Sequence, residues 1–342
     1  MGSGDLKAVL VGCGNMSKAW LEPATKLPGL SIVGLVDLLP EAARRRGAEY
    51  GLPESVAFGS LTEALSATKP DIVFDVTIPA AHKGVTLEAL TAGCHVLGEK
   101  PMAENIDDAR QMVTAAKQAG KLYAVIQNRR YEPNIRRVRD AVARGVIGSL
   151  AEMHVDFYLG PHFGGFREEM AHPLLVDMAI HTLDAARYIS QADPVAVYCH
   201  GFNPAHSWFK GKTSAVAIFE MSNGLVFTYR GSWCAQGLHT TWEGQWRLIG
   251  SKGSLTWDGA ANIAAQEVTH TPGQYFGTAT DIEIPPLSLE HLGHAGLIGE
   301  FVDCVRTGHK PLTHCEDNIR SLAMVLAAVK SADTGQRVKV EW

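Results

Sequence analysis

The sequence has no hydrophobic run long enough to cross a membrane and no marked excess of charge of either sign. Its longest apolar stretches have strand length, well short of the roughly 20 residues that a membrane helix needs. Lysine and arginine number 31 against 36 aspartates and glutamates, a formal net charge of -5, whereas phosphate binding needs concentrated cations. The basic cluster Arg44-Arg45-Arg46 is interpreted as the solvated face of a helix. We therefore expect no membrane association and no nucleic-acid partner.

Cysteine is scarce, and no two cysteines form a C-x-x-C motif. The six cysteines are scattered along the chain, and the first residues lead into a strand without the apolar core of a signal peptide. Both features predict a cytoplasmic protein. His291 and His294 have a spacing that suits a metal on a helix, but no third ligand is identifiable by motif. We predict no metal.

The first part of the chain alternates short β-type runs with helical patterns, which is typical of βαβ units and a parallel sheet. The whole chain has 342 residues, more than one hydrophobic core usually serves, so two domains are expected. We predict an α/β fold whose N-terminal domain, residues 1–127, is a doubly wound parallel sheet. The predicted strands are Ala8–Val11, Ser31–Val36, Ile72–Val76, His95–Leu97 and Leu122–Ile126, with helices beginning near Asn15, Pro40, Ala80 and Asp107.

Beyond residue 127 the pattern changes to long β-type segments separated by turn residues, with fewer helices. Successive strands of this kind favour a mostly antiparallel sheet. We predict that residues 128–342 form an α+β domain with a large open sheet, which binds substrate and joins subunits into a homodimer or homotetramer. Its predicted strands are Leu150–Leu159, Thr213–Met221, Leu225–Trp233 and Trp242–Ile249, and its predicted helices are Leu174–Ile189, Ala295–Arg306 and Asp317–Ser331.

The first predicted strand runs directly into Gly12-x-Gly14-x-x-Ser17 and a helix, the context in which a glycine pattern indicates a dinucleotide site. Gly12 permits the tight turn, and Gly14 lets the backbone approach a pyrophosphate. Asn15 and Met16 open the helix, whose N–H groups and dipole face that anion. Ser17 stands where a third glycine or alanine is usual, which weakens the pattern.

Asp37 follows the second predicted strand at the distance expected for the acid that hydrogen-bonds the adenosine ribose. Leu38 and Leu39 come next, so no adjacent cation awaits a 2′-phosphate, and the carboxylate would repel one. NAD is therefore preferred to NADP as the cofactor, although the arginines at 44–46 leave NADP open as an alternative. The alternative for Asp37 is an ordinary surface-loop aspartate.

Four segments together resemble the Gfo/Idh/MocA oxidoreductase family. They are Thr77-Ile78-Pro79-Ala80-Ala81-His82, His95-Val96-Leu97-Gly98-Glu99-Lys100-Pro101, Asn128-Arg129-Arg130-Tyr131 and Asp177-Met178-Ala179-Ile180-His181. The resemblance implies a Rossmann domain followed by a domain on an open antiparallel sheet, and activity on sugars or polyols. It also implies that Lys100 faces the nicotinamide and the substrate. The residues it assigns to the cofactor are Thr77, Pro79, His82, Glu99, Lys100 and Asn128.

Asp177 and His181 lie four residues apart on a predicted helix and share one of its faces. Imidazole, with an ordinary pKa near ~6.5, can take the proton of a hydroxyl that is being oxidised, so His181 is the predicted base. Asp177 would orient that ring or bind a neighbouring hydroxyl, and Lys100 would stabilise the developing alkoxide. The alternatives are a surface i,i+4 pair or a buried histidine satisfied by a carboxylate.

Several further polar residues are predicted to contact the substrate. The family's glycine-rich approach to Asp177 is replaced here by Met170-Ala171-His172-Pro173-Leu174-Leu175, and another loop, 160–165, is rich in glycine. Loops commonly carry such contacts. Besides Lys100, Asp177 and His181, the predicted substrate-binding residues are Arg130, His162, Arg167 and His172.

The predicted function is an oxidoreductase that transfers a hydride between NAD(H) and a secondary alcohol or ketone carbon of a sugar, polyol or sugar derivative. Two alternatives stay open. Some relatives oxidise a sugar transiently with bound NAD and then cleave a glycosidic bond by elimination. A protein of this fold can also bind NAD(H) as a sensor without turnover, since fold alone does not establish chemistry.

Overall fold

The computed structural model describes residues 5–342, which divide into two compact units. The first contains the chain up to Tyr131 together with Glu290–Ile319, and the second contains Glu132–Leu289 together with Arg320–Trp342. The chain therefore leaves the first unit after Tyr131, returns to it at Glu290, leaves it again after Ile319 and ends in the second unit. Each unit is built around one sheet.

The first unit is built on a six-stranded sheet in which every neighbouring pair of strands is parallel. Strand order is β3-β2-β1-β4-β5-β6, so the chain starts in the middle and winds outward in both directions. This confirms the predicted doubly wound α/β sheet. The strands are β1 (Leu6–Val11), β2 (Leu30–Val36), β3 (Ala57–Phe58), β4 (Ile72–Asp75), β5 (His95–Gly98) and β6 (Tyr123–Val125).

Helices connect these parallel strands, and their ends follow the local sequence. Asn105 accepts a hydrogen bond from the Asp108 backbone N–H at 2.9 Å, which caps the start of one helix. Gly120 ends the same helix with a left-handed φ of 62°, a conformation that favours glycine. The helices are α1 (Ser17–Ala24), α2 (Pro40–Glu49), α3 (Leu61–Thr68), α4 (Pro79–Thr91) and α5 (Ile106–Ala119).

The second unit is built on a nine-stranded sheet in the order β14-β13-β12-β11-β7-β10-β9-β8-β15. All neighbouring pairs are antiparallel except β7 with β10, which run parallel. This confirms the predicted large, open and mostly antiparallel sheet. The strands are β7 (Leu150–Tyr158), β8 (Pro194–Phe202), β9 (Ser214–Met221), β10 (Val226–Ser232), β11 (Gln245–Gly250), β12 (Gly253–Trp257), β13 (Ile263–Thr269), β14 (Thr278–Ile282) and β15 (Val338–Lys339).

The helix predicted over residues 174–189 is two different helices in the structure. Leu174–Ala179 forms a π-helix, and α8 (Ile180–Ser190) continues as a regular α-helix. Asp177 lies in the π-helix and His181 lies in α8. Short π-helical turns occur frequently at functional sites. The other helices that precede and follow the strand β7 are α6 (Pro133–Ala143) and the short α7 (Phe166–Glu169).

Two C-terminal helices complete the fold, α9 (Gly293–Thr307) and α10 (Cys315–Thr334). In α9 the side chains Leu297, Ile298, Phe301 and Val302 belong to the buried hydrophobic core of the first unit, the same cluster as Trp20. This helix therefore supplies part of the core of a sheet whose strands all precede residue 126. Within residues 5–342, no helix combines the length and the hydrophobicity of a membrane span.

Candidate cofactor and active site

Gly12 follows β1 directly and makes the turn that the glycine pattern predicts. Its φ is +95°, and a Cβ added there would lie 2.5 Å from Val76 O and 2.7 Å from Val76 C. The Gly12 N–H donates to Val36 O at 2.8 Å, so the turn is held between β2 and the end of β4. Only glycine fits this position without a shift of the backbone.

Gly14 presents open backbone where Gly12 is enclosed. No atom lies within 4 Å of the position of a Gly14 Cβ. Ser17 is buried, and its Oγ donates to Gly14 O at 2.6 Å, so the serine that weakens the sequence pattern instead anchors the turn. Among the described residues, the N–H groups of Gly14, Asn15 and Met16 have no acceptor. Unpaired N–H groups at a helix start form an anion site.

Asp37 stands beside this turn and is half-buried. Its Oδ2 accepts the Cys13 N–H at 2.9 Å, and its Oδ1 accepts the Leu39 N–H at 2.9 Å. Leu38 and Leu39 are 93% and 70% exposed, so an apolar surface adjoins the carboxylate. Burial, reinforced by the charge of Asp37, raises the pKa of the Cys13 thiol to about 12, so Cys13 adds no negative charge. These features fit a dinucleotide: an anion site, a ribose acceptor and an apolar surface for the base.

The basic cluster Arg44-Arg45-Arg46 is not one solvated face, as the sequence suggested, because Arg46 is buried. Arg44 and Arg45 are exposed, but Arg46 is only 6% exposed. Its Nη2 donates to Gly14 O at 3.1 Å, and its Nη1 donates to Glu49. Arg46 shares the buried side of α2 with Ala43 and Gly47, three residues before and one after it. That helical spacing is the signal by which the sequence could have indicated its burial.

The loops that follow β4 and β5 are tied together by His82. The ring is 2% exposed, with Nδ1 2.9 Å from Pro101 O and Nε2 3.1 Å from Thr77 O. Thr77 in turn donates to Asp75 through both its N–H, at 3.1 Å, and its hydroxyl. Burial raises the pKa of Asp75, and the charge of His82 opposes that rise. His82 thus links the loop that carries Thr77 to the loop that carries Lys100.

Glu99 and Lys100 lie at the carboxyl end of β5, where ligands bind in open parallel sheets. Glu99 is 6% exposed; its Oε1 accepts the Trp20 Nε1–H at 2.8 Å, and its Oε2 accepts the Lys100 N–H at 3.1 Å. Pro101 follows a cis peptide bond. Glu99 therefore holds the backbone of Lys100 against α1, while the Lys100 side chain is half-buried.

His294, in α9, is a member of this cluster, although its spacing from His291 suggested only a metal ligand. Its Nδ1 lies 3.4 Å from Asn128 Nδ2, and its Nε2 lies 4.0 Å from Glu99 Oε1. Burial lowers the pKa of His294, and the charge of Lys100 lowers it further while Glu99 opposes both. In the sequence, only the family-type segments at Glu99 and Asn128 indicated a site here. His294 could not be linked to them, because residue 294 is remote from both.

Arg130 is buried beneath the end of β6. Its guanidinium donates to Leu312 O at 2.9 Å and pairs with Asp317 at 2.7 Å, with 5% of the side chain exposed. It joins the segment after β6 to the start of α10. Arg130 therefore stabilises the local fold. Its contact with a substrate stays a prediction.

In the second unit the structure brings Arg167 and Asp177 together. Arg167 Nε donates to Asp177 Oδ2 at 2.6 Å, and the guanidinium lies 5.1 Å from the Phe163 ring centroid and 4.9 Å from that of Phe166. Asp177 keeps 16% of its side chain exposed. His181 is half-buried in the first turn of α8. The ion pair fixes the carboxylate with a charge-assisted hydrogen bond.

The two other histidines predicted at the substrate have different surroundings. His172 is 7% exposed and lies 3.0 Å from Asp333 Oδ1; burial lowers its pKa, while Asp333 opposes that shift. His162 is exposed and stacks on Trp208, with ring centroids 3.8 Å apart. His162 therefore presents a polar ring edge to solvent, whereas His172 fastens the start of the π-helix segment to α10.

Metal ligation has little support in the part of the chain that the structure describes. No group of three or more histidine, cysteine, aspartate or glutamate side chains is placed to hold an ion there. His291 lies 3.8 Å from Glu290, its neighbour in sequence. His294 instead belongs to the Glu99 cluster.

Known proteins resemble this chain along its whole length. Residues 6–127 match the family model described as "Oxidoreductase family, NAD-binding Rossmann fold", and residues 135–256 match "GFO/IDH/MocA C-terminal domain". The chain is 30% identical to the putative oxidoreductase YceM of Salmonella typhimurium, over 96% of this chain and 98% of that protein. It is 28% identical to a 1,5-anhydro-D-fructose reductase of Ensifer adhaerens, over 97% and 98%. A crystal structure of an oxidoreductase from Agrobacterium radiobacter with NAD+, L-tartaric acid and magnesium shares the fold, with a TM-score of 0.86, 21% identity and 98% of each chain covered.

Proposed function

The chain belongs to the Gfo/Idh/MocA family of oxidoreductases, and from this premise we propose that it is an NAD-dependent dehydrogenase or reductase of sugars or polyols. The reacting group is a secondary alcohol or ketone carbon. The observation that carries the proposal is the turn from Gly12 to Ser17, with its unpaired N–H groups and its neighbouring Asp37. The sugar class is supported by the relative named as an anhydrofructose reductase.

We propose NAD rather than NADP because the carboxylate of Asp37, which follows β2 beside the glycine turn, would repel a 2′-phosphate. Arg46, the buried member of the basic cluster, is already engaged by Gly14 O and Glu49, which leaves it unsuited to pair with that phosphate. NAD, when bound, supplies the hydride-transfer chemistry. The protein's part is to bind it, to orient the substrate and to move the proton.

We assign the catalytic roles to Lys100, Asp177 and His181. The ammonium of Lys100 stabilises negative charge on the reacting oxygen, and His181 exchanges the proton with that oxygen. Asp177, held by Arg167 at 2.6 Å, is the oriented acceptor for a substrate hydroxyl. Arg167 and His162 are the further candidates for polar contacts with the sugar.

The sheet of the second unit supports a proposal of self-association. Tyr198 and Phe202 on β8 and Val216 and Ile218 on β9 are 41–46% exposed, and Ile218 pairs with Tyr198 in register. An exposed apolar patch of this kind marks an interaction surface, so we propose a homodimer or homotetramer through this sheet. Ile218→Asp should then reduce the mass measured by light scattering, and Leu238→Asp, at an exposed loop position, should leave it unchanged.

All six cysteines are buried, and none forms a disulfide. Absence of disulfides is typical of proteins that work in a reducing compartment. We propose the cytoplasm as that compartment.

The reaction is tested by incubating the purified chain with NAD+ together with one compound at a time from a panel of sugars, polyols and glycosides. NADH absorbance and product mass are recorded together. Net NADH formation with loss of two hydrogens from a sugar supports the dehydrogenase. Glycoside cleavage without net NADH would replace it by the eliminating glycosidase, and NAD binding without any turnover would leave a sensor.

The proton role of His181 is tested by His181→Ala once a substrate is found. Turnover should fall by roughly two to four orders of magnitude, because a positioned acid–base group contributes about that much. The NAD dissociation constant should stay within about twofold of the original. Unchanged turnover would remove His181 from the mechanism.

A further inference from the structure

The guanidinium of Arg46 lies directly behind the turn that joins β1 to α1. Its Nη2 is 3.1 Å from Gly14 O and 3.4 Å from Cys13 O, and its Nη1 donates to Glu49. A charge that is only 6% exposed is costly unless it is paired and hydrogen-bonded. Its contact with two successive carbonyls of the turn is therefore a specific feature of the fold.

These two carbonyls determine where the neighbouring N–H groups point. In a trans peptide the C=O and the following N–H point in opposite directions. Because Cys13 O and Gly14 O are directed toward Arg46, the N–H groups of Gly14 and Asn15 are directed away from it. Ser17 also donates to Gly14 O, through its hydroxyl at 2.6 Å and its N–H at 3.2 Å. The space above Gly14 is open, with no atom within 4 Å of a Cβ position.

We propose that Arg46 is a positioning residue of the dinucleotide site. It holds the Cys13 and Gly14 carbonyls on the inner side of the turn, so that the Gly14 and Asn15 N–H groups face the pyrophosphate. Its charge also adds to the positive end of α1, which attracts the same anion. The inference rests on the proposed NAD cofactor and adds to that site a residue from α2.

Arg46 should strengthen NAD and NADP binding equally. Both cofactors carry the pyrophosphate, and the guanidinium is buried against the turn rather than presented to the ribose side, where Asp37 lies. A residue that instead anchored a 2′-phosphate would affect NADP far more than NAD. The ratio of the two dissociation constants therefore separates the two roles.

The test compares Arg46→Ala with Arg45→Ala, the neighbouring arginine that is exposed and has no ion pair or hydrogen bond in the described residues. Dissociation constants for NAD+ and NADP+ are measured by calorimetry. Arg46→Ala should raise both by about 10- to 100-fold, because cofactor binding must then order the turn without the hydrogen bonds of this charged donor, and Arg45→Ala should change them less than twofold. Hydrogen exchange of the hydrogen-bonded Gly12, Cys13 and Ser17 N–H groups, measured without cofactor, should speed up only in Arg46→Ala.

Arg46→Lys keeps the charge and the packed stem but replaces the guanidinium fork by a single ammonium. It should give an intermediate loss of affinity, and it serves as the test if Arg46→Ala does not fold. Equal behaviour of the Arg46 and Arg45 variants, or a selective loss of NADP+ binding, would overturn the role of Arg46. If the unmodified chain bound neither cofactor, the proposed function itself would fail.

Discussion

Alanine substitutions at Gly12 and Gly14 should have opposite effects, although the two glycines lie in the same motif. Gly12→Ala forces an L-residue into a left-handed φ of +95°, at about 1–2 kcal/mol. It also places a Cβ 2.5 Å from Val76 O and 2.9 Å from Thr77 N, so the backbone must shift, at roughly 1–3 kcal/mol more. We expect the free energy of unfolding to fall by about 2–5 kcal/mol.

Gly14→Ala meets no atom within 4 Å, and Gly14 lies outside the left-handed region. The unfolded chain loses freedom, so stability should be unchanged or rise by about 0.4–1 kcal/mol. The new methyl group instead occupies the open side of the turn, where the proposed pyrophosphate binds. NAD affinity should fall about tenfold or more, which corresponds to at least about 1.4 kcal/mol.

Urea unfolding followed by circular dichroism gives the two stabilities, and calorimetry gives the NAD dissociation constants. The expected pattern is an unstable Gly12→Ala and a stable Gly14→Ala with weak NAD binding. A Gly14→Ala variant that bound NAD as tightly as the original chain would refute the placement of the cofactor on this turn. A Gly12→Ala variant of unchanged stability would refute the packing argument.

Three further predictions follow from buried or charged groups of the first unit. His82→Ala removes the contacts to two carbonyls and should lower the free energy of unfolding by about 2–5 kcal/mol, whereas the exposed His309→Ala should lower it by less than about 0.5 kcal/mol; equal urea midpoints would contradict this. Burial lowers the pKa of His95 from 6.5 to about 4, so its folded form binds fewer protons than the unfolded form, and stability is lost as pH falls from 6.5 toward 4. His95→Asn, which cannot titrate there, should flatten that loss in thermal melts recorded across this range. Asp37→Asn removes the charge and should raise the NADP-to-NAD affinity ratio at least about tenfold, and a preference for NADP in the unmodified chain would contradict the cofactor assignment.

Elements with a clear hydrophobic period were predicted closely, because burial on one face or on both leaves a pattern in the sequence. The strand predicted at Ser31–Val36 is β2, Leu30–Val36, and the helix predicted near Pro40 begins at Pro40. The edge strand β14, Thr278–Ile282, was missed because four of its five residues are exposed, so it carries no alternation. The parallel pairing of β7 with β10 was also missed, since pairing direction depends on topology rather than on local sequence.

The cofactor turn was predictable because its geometry is set by adjacent residues. The supporting groups were not, because their partners are remote in sequence: His82 contacts Pro101, Glu99 contacts Trp20, and His172 contacts Asp333. The identity of a polar residue does not tell whether it faces a ligand or holds a loop. Their contact with cofactor or substrate stays a prediction, as do the roles of Lys100, Asp177 and His181.

The placement of α9 has a consequence for how the protein is made. Leu297, Ile298 and Phe301 pack in the same cluster as Trp20, so the apolar surface that they cover stays open to water until the ribosome has added about 170 residues beyond Tyr131. A fragment ending at residue 131 would expose that surface permanently and should aggregate when expressed alone. Joining residues 5–131 to 290–319 through a short linker should give a soluble, separately folded cofactor domain.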